Sequence, residues 1–361
     1  MKLTLKAVLK TTSPMHITGA GSYRFNPATG YVVPETTENA RDMTPCTPIQ
    51  RMWVIGESGP VPVIPANNIA GRLRRHAAEL VLKAIVAKGE KVSLQAYSSL
   101  MCGAVGSAPD SRDLSYAEYK KSSEHVYLGL FGGGPRMLPR KVRVLNGVPF
   151  RDKVISAMEN QMHPEASKYL QNAPITMAWT CRRNDDLMEL VNVPLQESSI
   201  DNYVEEIQKR QTTIMEEKSK ERSKTSTFSF SSLEFILPGT HFNMGFELDV
   251  NNAAQAGLFL MALDSFVSKE RIGGKSVNGF GAFLLKDVIL TDENGKESTI
   301  FTGDRLNQLD PMVKPYLDAW AAAAGNIDAA AIEEMMTMPA NAPLSKKDKA
   351  KADKEAKLAA I

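Results

Sequence analysis

The chain has 361 residues, 43% hydrophobic and 23% charged, the balance of a soluble globular protein with length for one large domain or two. Lys and Arg number 43 against 41 Asp and Glu, so the net charge of +2 excludes a polycation and confines any nucleic-acid surface to a local patch. Cys46, Cys102 and Cys181 stand far apart with no CxxC pair, which argues against a disulfide framework or zinc site, and no signal peptide or bilayer-length apolar run is visible, so a cytoplasmic protein is expected.

Residues 1–10 alternate apolar and polar and predict a strand with one buried face. The strand exits into Ser13-Pro-Met-His16-Ile-Thr-Gly19, where His16 is either a ligand or proton-transfer residue or, as is commoner, a hydrogen-bonded structural histidine. Residues 22–60, rich in Pro, Thr, Asn and Gly, form a long loop, and Glu35, Glu38 and Asp42 are its scattered acids. At Pro65-Ala-Asn67-Asn68-Ile-Ala-Gly-Arg72-Leu-Arg74-Arg75 the Asn pair suggests an N-cap, and Ile69, Leu73, Ala77, Leu80 and Ala84 give a buried helical stripe. Arginines beside a helix N-terminus favour phosphate, and a solvated basic face explains them equally well. Further on come Leu-Phe131-Gly-Gly-Gly134 and a basic segment, Arg136, Arg140, Lys141 and Arg143, able to line a phosphate track. An exposed, salt-laced helix is expected over 200–220. Residues 227–235 and 241–250 alternate about a Pro238-Gly239 turn, which predicts an antiparallel hairpin.

A buried helix is expected around 257–266 and a strand over 282–290, and between them lies Arg271-Ile-Gly-Gly-Lys275-Ser276-Val-Asn278-Gly-Phe280-Gly-Ala-Phe283. Gly274-Lys275-Ser276 invites a nucleotide P-loop reading, but Lys269 stands where the first glycine is required, and the order is helix-to-strand rather than strand-to-helix. What remains is a basic loop whose backbone N–H groups can approach an extended polyphosphate such as RNA; the alternative is a tight turn with solvated polar residues. Alanine-rich helical content fills 310–338, and Ser345–Ile361 reads as a Lys/Ala tail.

Taken in order, the first strand, IPANNIAGRLRR, LFGGG, SFSSLEFILPGTHFNMGFEL and IGGKSVNGFGAF resemble the RAMP superfamily over residues 1–290. Within it they look most like the backbone subunit that polymerises along CRISPR guide RNA, in the type IV branch. The family's Pro-Gly-Ser-Ser-Leu-Lys-Gly-x-x-Arg corresponds to Pro65–Arg74, with Ala66 and Ala70 replacing its glycine and lysine, Arg72 as the substitute cation, and Arg74 at the family's arginine. The resemblance implies an α+β fold, a modified ferredoxin-like (RNA-recognition-like) core with an antiparallel sheet and helices on one face. It implies finger insertions at about 22–60 and 90–125, a thumb at about 180–228, a helical extension over 291–340 and the tail from 341. His16, Asn67, Asn68, Arg72, Arg74, Arg75, Arg271, Lys275, Ser276, Asn278 and Phe280 become the RNA-contact candidates, Phe280 by stacking on a base or else as core. The implied partners are guide RNA, a target DNA or RNA read by base pairing, further copies in a head-to-tail filament and other effector subunits, with no membrane and no cofactor. Some branches cut RNA with an acid after the first strand, for which Asp42 is the candidate; a non-catalytic subunit is expected, with an endoribonuclease using His16 or Asp42 as the alternative and a phosphate-binding small-molecule enzyme as the third.

Overall fold

The computed structural model describes residues 1–26, 28–37, 43–103, 115–183 and 229–337. Asp42, Glu38, most of the expected thumb, the expected helix over 200–220 and the tail lie outside them. The chain divides into two compact units, one of Met1–Thr18, Ile49–Thr176 and Ile236–Ile361, the other of Gly19–Pro48 and Met177–Phe235.

The first unit is built on six elements: β1 (Lys2–Thr11), α1 (Ala66–Ala87), β2 (Val142–Val144), β3 (His241–Asp249), α2 (Ala253–Lys269) and β4 (Phe283–Thr291). All sheet pairings are antiparallel and the order is β4-β1-β3-β2, with Glu297–Thr299 added outside β4. A β-α-β-β-α-β chain in that order is a ferredoxin-like core, as expected from the resemblance. The period-2 pattern of β1 explains its placement: Leu3, Leu5, Ala7 and Leu9 are buried in one core with Phe242, Met244, Phe246 and Leu248 of β3, under Ile69 and Leu73 of α1 and Phe259, Leu263 and Phe266 of α2. Residues 314–324 form a further helix against α2, so close that a Cβ on Gly257 would lie 2.0 Å from the Tyr316 carbonyl oxygen.

The opposite sheet face is also partly covered. Val8 packs with Val148, Phe150, Val154 and Met162 in a second core. The covering segment is held by Asn243, whose Oδ1 accepts from the His163 amide (2.8 Å) and whose Nδ2 donates to the Gln161 carbonyl (3.1 Å). A bulge helps: the β1–β4 register shifts between Lys6 and Val8, and Asp287, at φ 47°, turns out of the ladder. Its carboxylate accepts from the Tyr169 hydroxyl and its carbonyl from His163 Nε2 (2.8 Å).

In the second unit a five-stranded sheet runs Val32–Pro34, Tyr23–Phe25, Thr44–Thr47, Ser229–Ile236, Thr176–Arg183. Here the expected hairpin between 227–235 and 241–250 fails: Ser229–Ile236 pairs in parallel with Thr44–Thr47, whereas β3 pairs with β1 and β2. Both segments alternate as strands must, but alternation is silent about partners, and each has a stronger one elsewhere. Residues 22–60, expected as loop, thus carry short strands, and 90–125 carries the helices Leu94–Cys102 and Tyr116–Glu124.

Candidate nucleic-acid interface

The glycine-rich loop leaves α2 at Glu270 and returns to the sheet at Phe283. It is laid against the segment that leaves β1. Gly274 N–H donates to the His16 carbonyl (2.8 Å), Gly281 N–H to the Pro14 carbonyl (2.8 Å), and Ala282 N–H to Ser13 Oγ (2.8 Å). Glycine is required at two positions of the loop: Gly273 (φ 90°) and Gly281 (φ 84°) would place a Cβ 2.1 Å from the His16 oxygen and 2.2 Å from the Ile272 oxygen. Gly279 is left-handed in open space, and Gly274 has neither a positive φ nor a close neighbour.

Residues 274–279 are all exposed. Lys275 sits at the tip in the left-handed region (φ 61°), a strained state for a side-chain-bearing residue, and starts a single 3₁₀ turn over Ser276–Asn278. The backbone amides of Ser276 and Val277 open this turn and donate to no carbonyl among the described residues. An ammonium beside the amides of two exposed residues, with no acid paired to it among the described residues, has the chemistry to hold an anion such as a phosphate oxygen. Arg271 braces the loop rather than extending from it: its Nη1 donates to the Gly279 carbonyl at 2.9 Å.

The other sequence candidates divide. Helix α1 begins at Ala66 with Pro65 as its cap, so Asn67 and Asn68 stand in the first turn and neither is the N-cap; the Ala66 amide donates to Asn146 Oδ1 (2.8 Å). Asn67 and Arg75 are exposed. Asn68 Oδ1 accepts from Arg72 Nε (3.2 Å), and the Arg72 guanidinium pairs with Glu270, the residue from which the loop departs. Glu270 also lies 3.3 Å from His76 Nε2, and His76 Nδ1 is 3.0 Å from Ser265 Oγ. Burial holds the His76 pKa below its ordinary value, with Glu270 opposing the shift. Arg74 faces elsewhere: its guanidinium donates to the carbonyls of Phe131 and Gly132 and lies over the Phe131 ring, so it binds the Gly132–Gly134 turn. His16 is 3% exposed, its Nε2 3.1 Å from Thr18 Oγ1, and Phe280 is buried. The apolar side chain offered at the tip is Val277, 98% exposed.

Three residues of the basic segment after the triple glycine have different partners. Arg136 is buried against Glu118 (3.2 Å), Lys141 donates to Asn251, and Arg143 faces Glu247 at 3.5 Å. Sequence reasoning missed Glu270 and Val277. Glu270 carried a signal, since an acid at a helix C-terminus opposes the dipole and is explained only by a specific partner. Among the described residues no group of three His, Cys, Asp or Glu is arranged to hold a metal, and no helix is long and apolar enough to cross a membrane.

A protein-family model described as "RAMPs: RAMP superfamily" matches residues 8–284. Among solved structures, the chain is similar to one in the "Type IV-B CRISPR Complex", with 16% identity and a TM-score of 0.43, covering 86% of this chain and 99% of that one. It is also similar to a chain in the "Cryo-EM structure of the Type III-B Cmr-beta bound to cognate target RNA", with 10% identity and a TM-score of 0.34, covering 80% of this chain and 60% of that one. No curated protein matches.

Proposed function

The chain belongs to the RAMP superfamily, and on that premise we propose that it is a non-catalytic CRISPR backbone subunit that polymerises along guide RNA and presents it for base pairing. The observation that carries this reading is the glycine loop: an exposed tip with Lys275 beside the Ser276 and Val277 amides, pinned at both ends to the segment after β1. Such a surface recognises phosphate and sugar, not base edges. A guide-binding subunit needs that indifference, because guides differ in sequence while the protein does not. Asn68 and Arg72, tied to the loop's departure point through Glu270, brace the loop from α1.

Purification from a host supplying a CRISPR array tests the reading directly. The expected result is a discrete guide-sized RNA in a particle many times the monomer mass, assembled with other effector subunits. A nucleic-acid-free monomer would overturn it. Catalysis is tested by single-turnover incubation of bound RNA with divalent metal. Intact RNA is expected, and cleavage abolished by His16→Ala or Asp42→Ala would replace this proposal with an endoribonuclease.

A further inference from the structure

Where β1 ends and β4 begins, beside the two strand ends that frame the glycine loop, the sheet face opposite α1 and α2 carries a second basic group. Lys10 is paired across the ladder with His241 of β3, and Lys286 of β4 is paired with Val8 of β1. Val8 faces the second core, so the side-chain period of 2 puts Lys10, His241 and Lys286 on its face of the sheet, away from α1 and α2. All three are half-buried, and neither lysine makes an ion pair among the described residues.

The surroundings of His241 are determined by three elements. The covering segment places the Tyr169 ring 5.2 Å from the imidazole, and Gln171 bonds both the amide and the carbonyl of His241. From β4 comes the Asp287 carboxylate, which is engaged by the Tyr169 hydroxyl; nearby Lys168 and Glu165 pair with each other at 3.2 Å. Among the described residues, two ammonium groups without an acid partner are therefore left around one half-buried imidazole. Burial lowers the His241 pKa, and the charges of Lys10 and Lys286 lower it further. Like charges gathered on a partly desolvated surface repel one another unless an anion sits among them.

We infer that Lys10, Lys286 and His241 form a phosphate site, and that its occupant is a backbone phosphate of the same RNA strand held by the glycine loop. The site rests on the guide-binding reading for its occupant but not for its chemistry. Continuity supports RNA: Lys10 is opposite Leu284 and Thr11 opposite Phe283, so the patch begins one to three residues beyond the point where the loop rejoins the sheet. Three residues of strand span about 10 Å, a distance a single extended strand crosses readily.

The test uses the full chain with isotope-labelled histidine, following the His241 imidazole by NMR across pH, with inorganic phosphate and then a short oligouridylate as probes. Each probe is expected to raise the His241 pKa by about 1 pH unit or more, as a nearby opposite charge does. Lys10→Ala and Lys286→Ala should abolish that response without lowering the melting temperature, and each should reduce the salt slope of RNA binding by about 1. A His241 that responds to neither probe overturns the site. A response to phosphate alone, while RNA still binds through Lys275, overturns the RNA occupant and leaves the loop reading standing. If RNA does not bind at all but phosphate still moves His241, the guide reading falls and the phosphate site survives without it.

Discussion

Lys275 combines two properties that can be separated by substitution: a charge at the loop tip and a left-handed backbone. Lys275→Ala removes the ammonium but keeps the strain, whereas Lys275→Gly removes both. Both variants should weaken RNA binding equally for all sequences and lessen its salt dependence, because a phosphate contact carries no base information. The alanine variant should keep the parent's melting temperature, and only the glycine variant should exceed it. A sequence-selective loss in filter binding would contradict the assignment. The loop glycines obey a parallel order. Gly281→Ala meets both a positive φ and a carbonyl oxygen 2.2 Å away, and should cost about 2 kcal/mol or more. Gly279→Ala, with open space, should cost about 1 kcal/mol, and Gly274→Ala little. Denaturant midpoints that ranked Gly274→Ala as the worst would be incompatible with this loop geometry.

At the scale of elements, Glu270 is the joint between α1, α2 and the loop. Glu270→Ala would leave the half-buried Arg72 guanidinium without its carboxylate and should destabilise by on the order of 1–2 kcal/mol. Pairing with Arg72→Met in a double-mutant cycle should recover part of that loss; strict additivity would mean that the pair contributes nothing. A second joint predicts the pH response. His125 Nδ1 accepts from the amides of Tyr127 and Leu128 at the start of the short helix Leu128–Phe131, which requires an unprotonated nitrogen. Burial brings its pKa down to about 4, while Asp328 pulls the other way. The unfolded chain, with an ordinary histidine near 6.5, therefore binds the proton first. Stability is complete above about pH 6.5 and falls as the pH drops toward 4, by up to about 3 kcal/mol. In His125→Gln that portion of the acid dependence should disappear from urea unfolding curves. An unchanged pH profile would locate the titration elsewhere.

For the whole molecule, the described residues place the loop, the α1 edge and the sheet in one compact unit. Removal of residues 345–361 should accordingly leave RNA-loaded particles of the same mass. Collapse to monomers on size exclusion with light scattering would give the tail an assembly role. The second unit shows why strand partners were the weak point of sequence reading. Ser229–Ile236 and β3 are both alternating segments separated by a four-residue turn, and a local hairpin is the cheapest closure for such a pair. Each instead completes a different sheet.

What the sequence determined by itself was local or ordered along the chain: the alternation of β1 and β3, the apolar stripe of α1, the buried length of α2, and the glycine loop that follows it. Their succession, matched to a known family, was sufficient for a ferredoxin-like core. Charge pairing was not legible, because an arginine's sequence neighbours do not say which carboxylate or carbonyl it meets. Arg72, Arg74 and Arg75 are adjacent and look interchangeable, yet the helical turn sends one to Glu270, one to the carbonyls of residues 131 and 132, and one to the surface. Lys10, His241 and Lys286 are separated by as many as 276 residues, and only strand register brings them to one face. Tertiary structure decided those associations because side-chain period, helix phase and β pairing convert distant positions into neighbours.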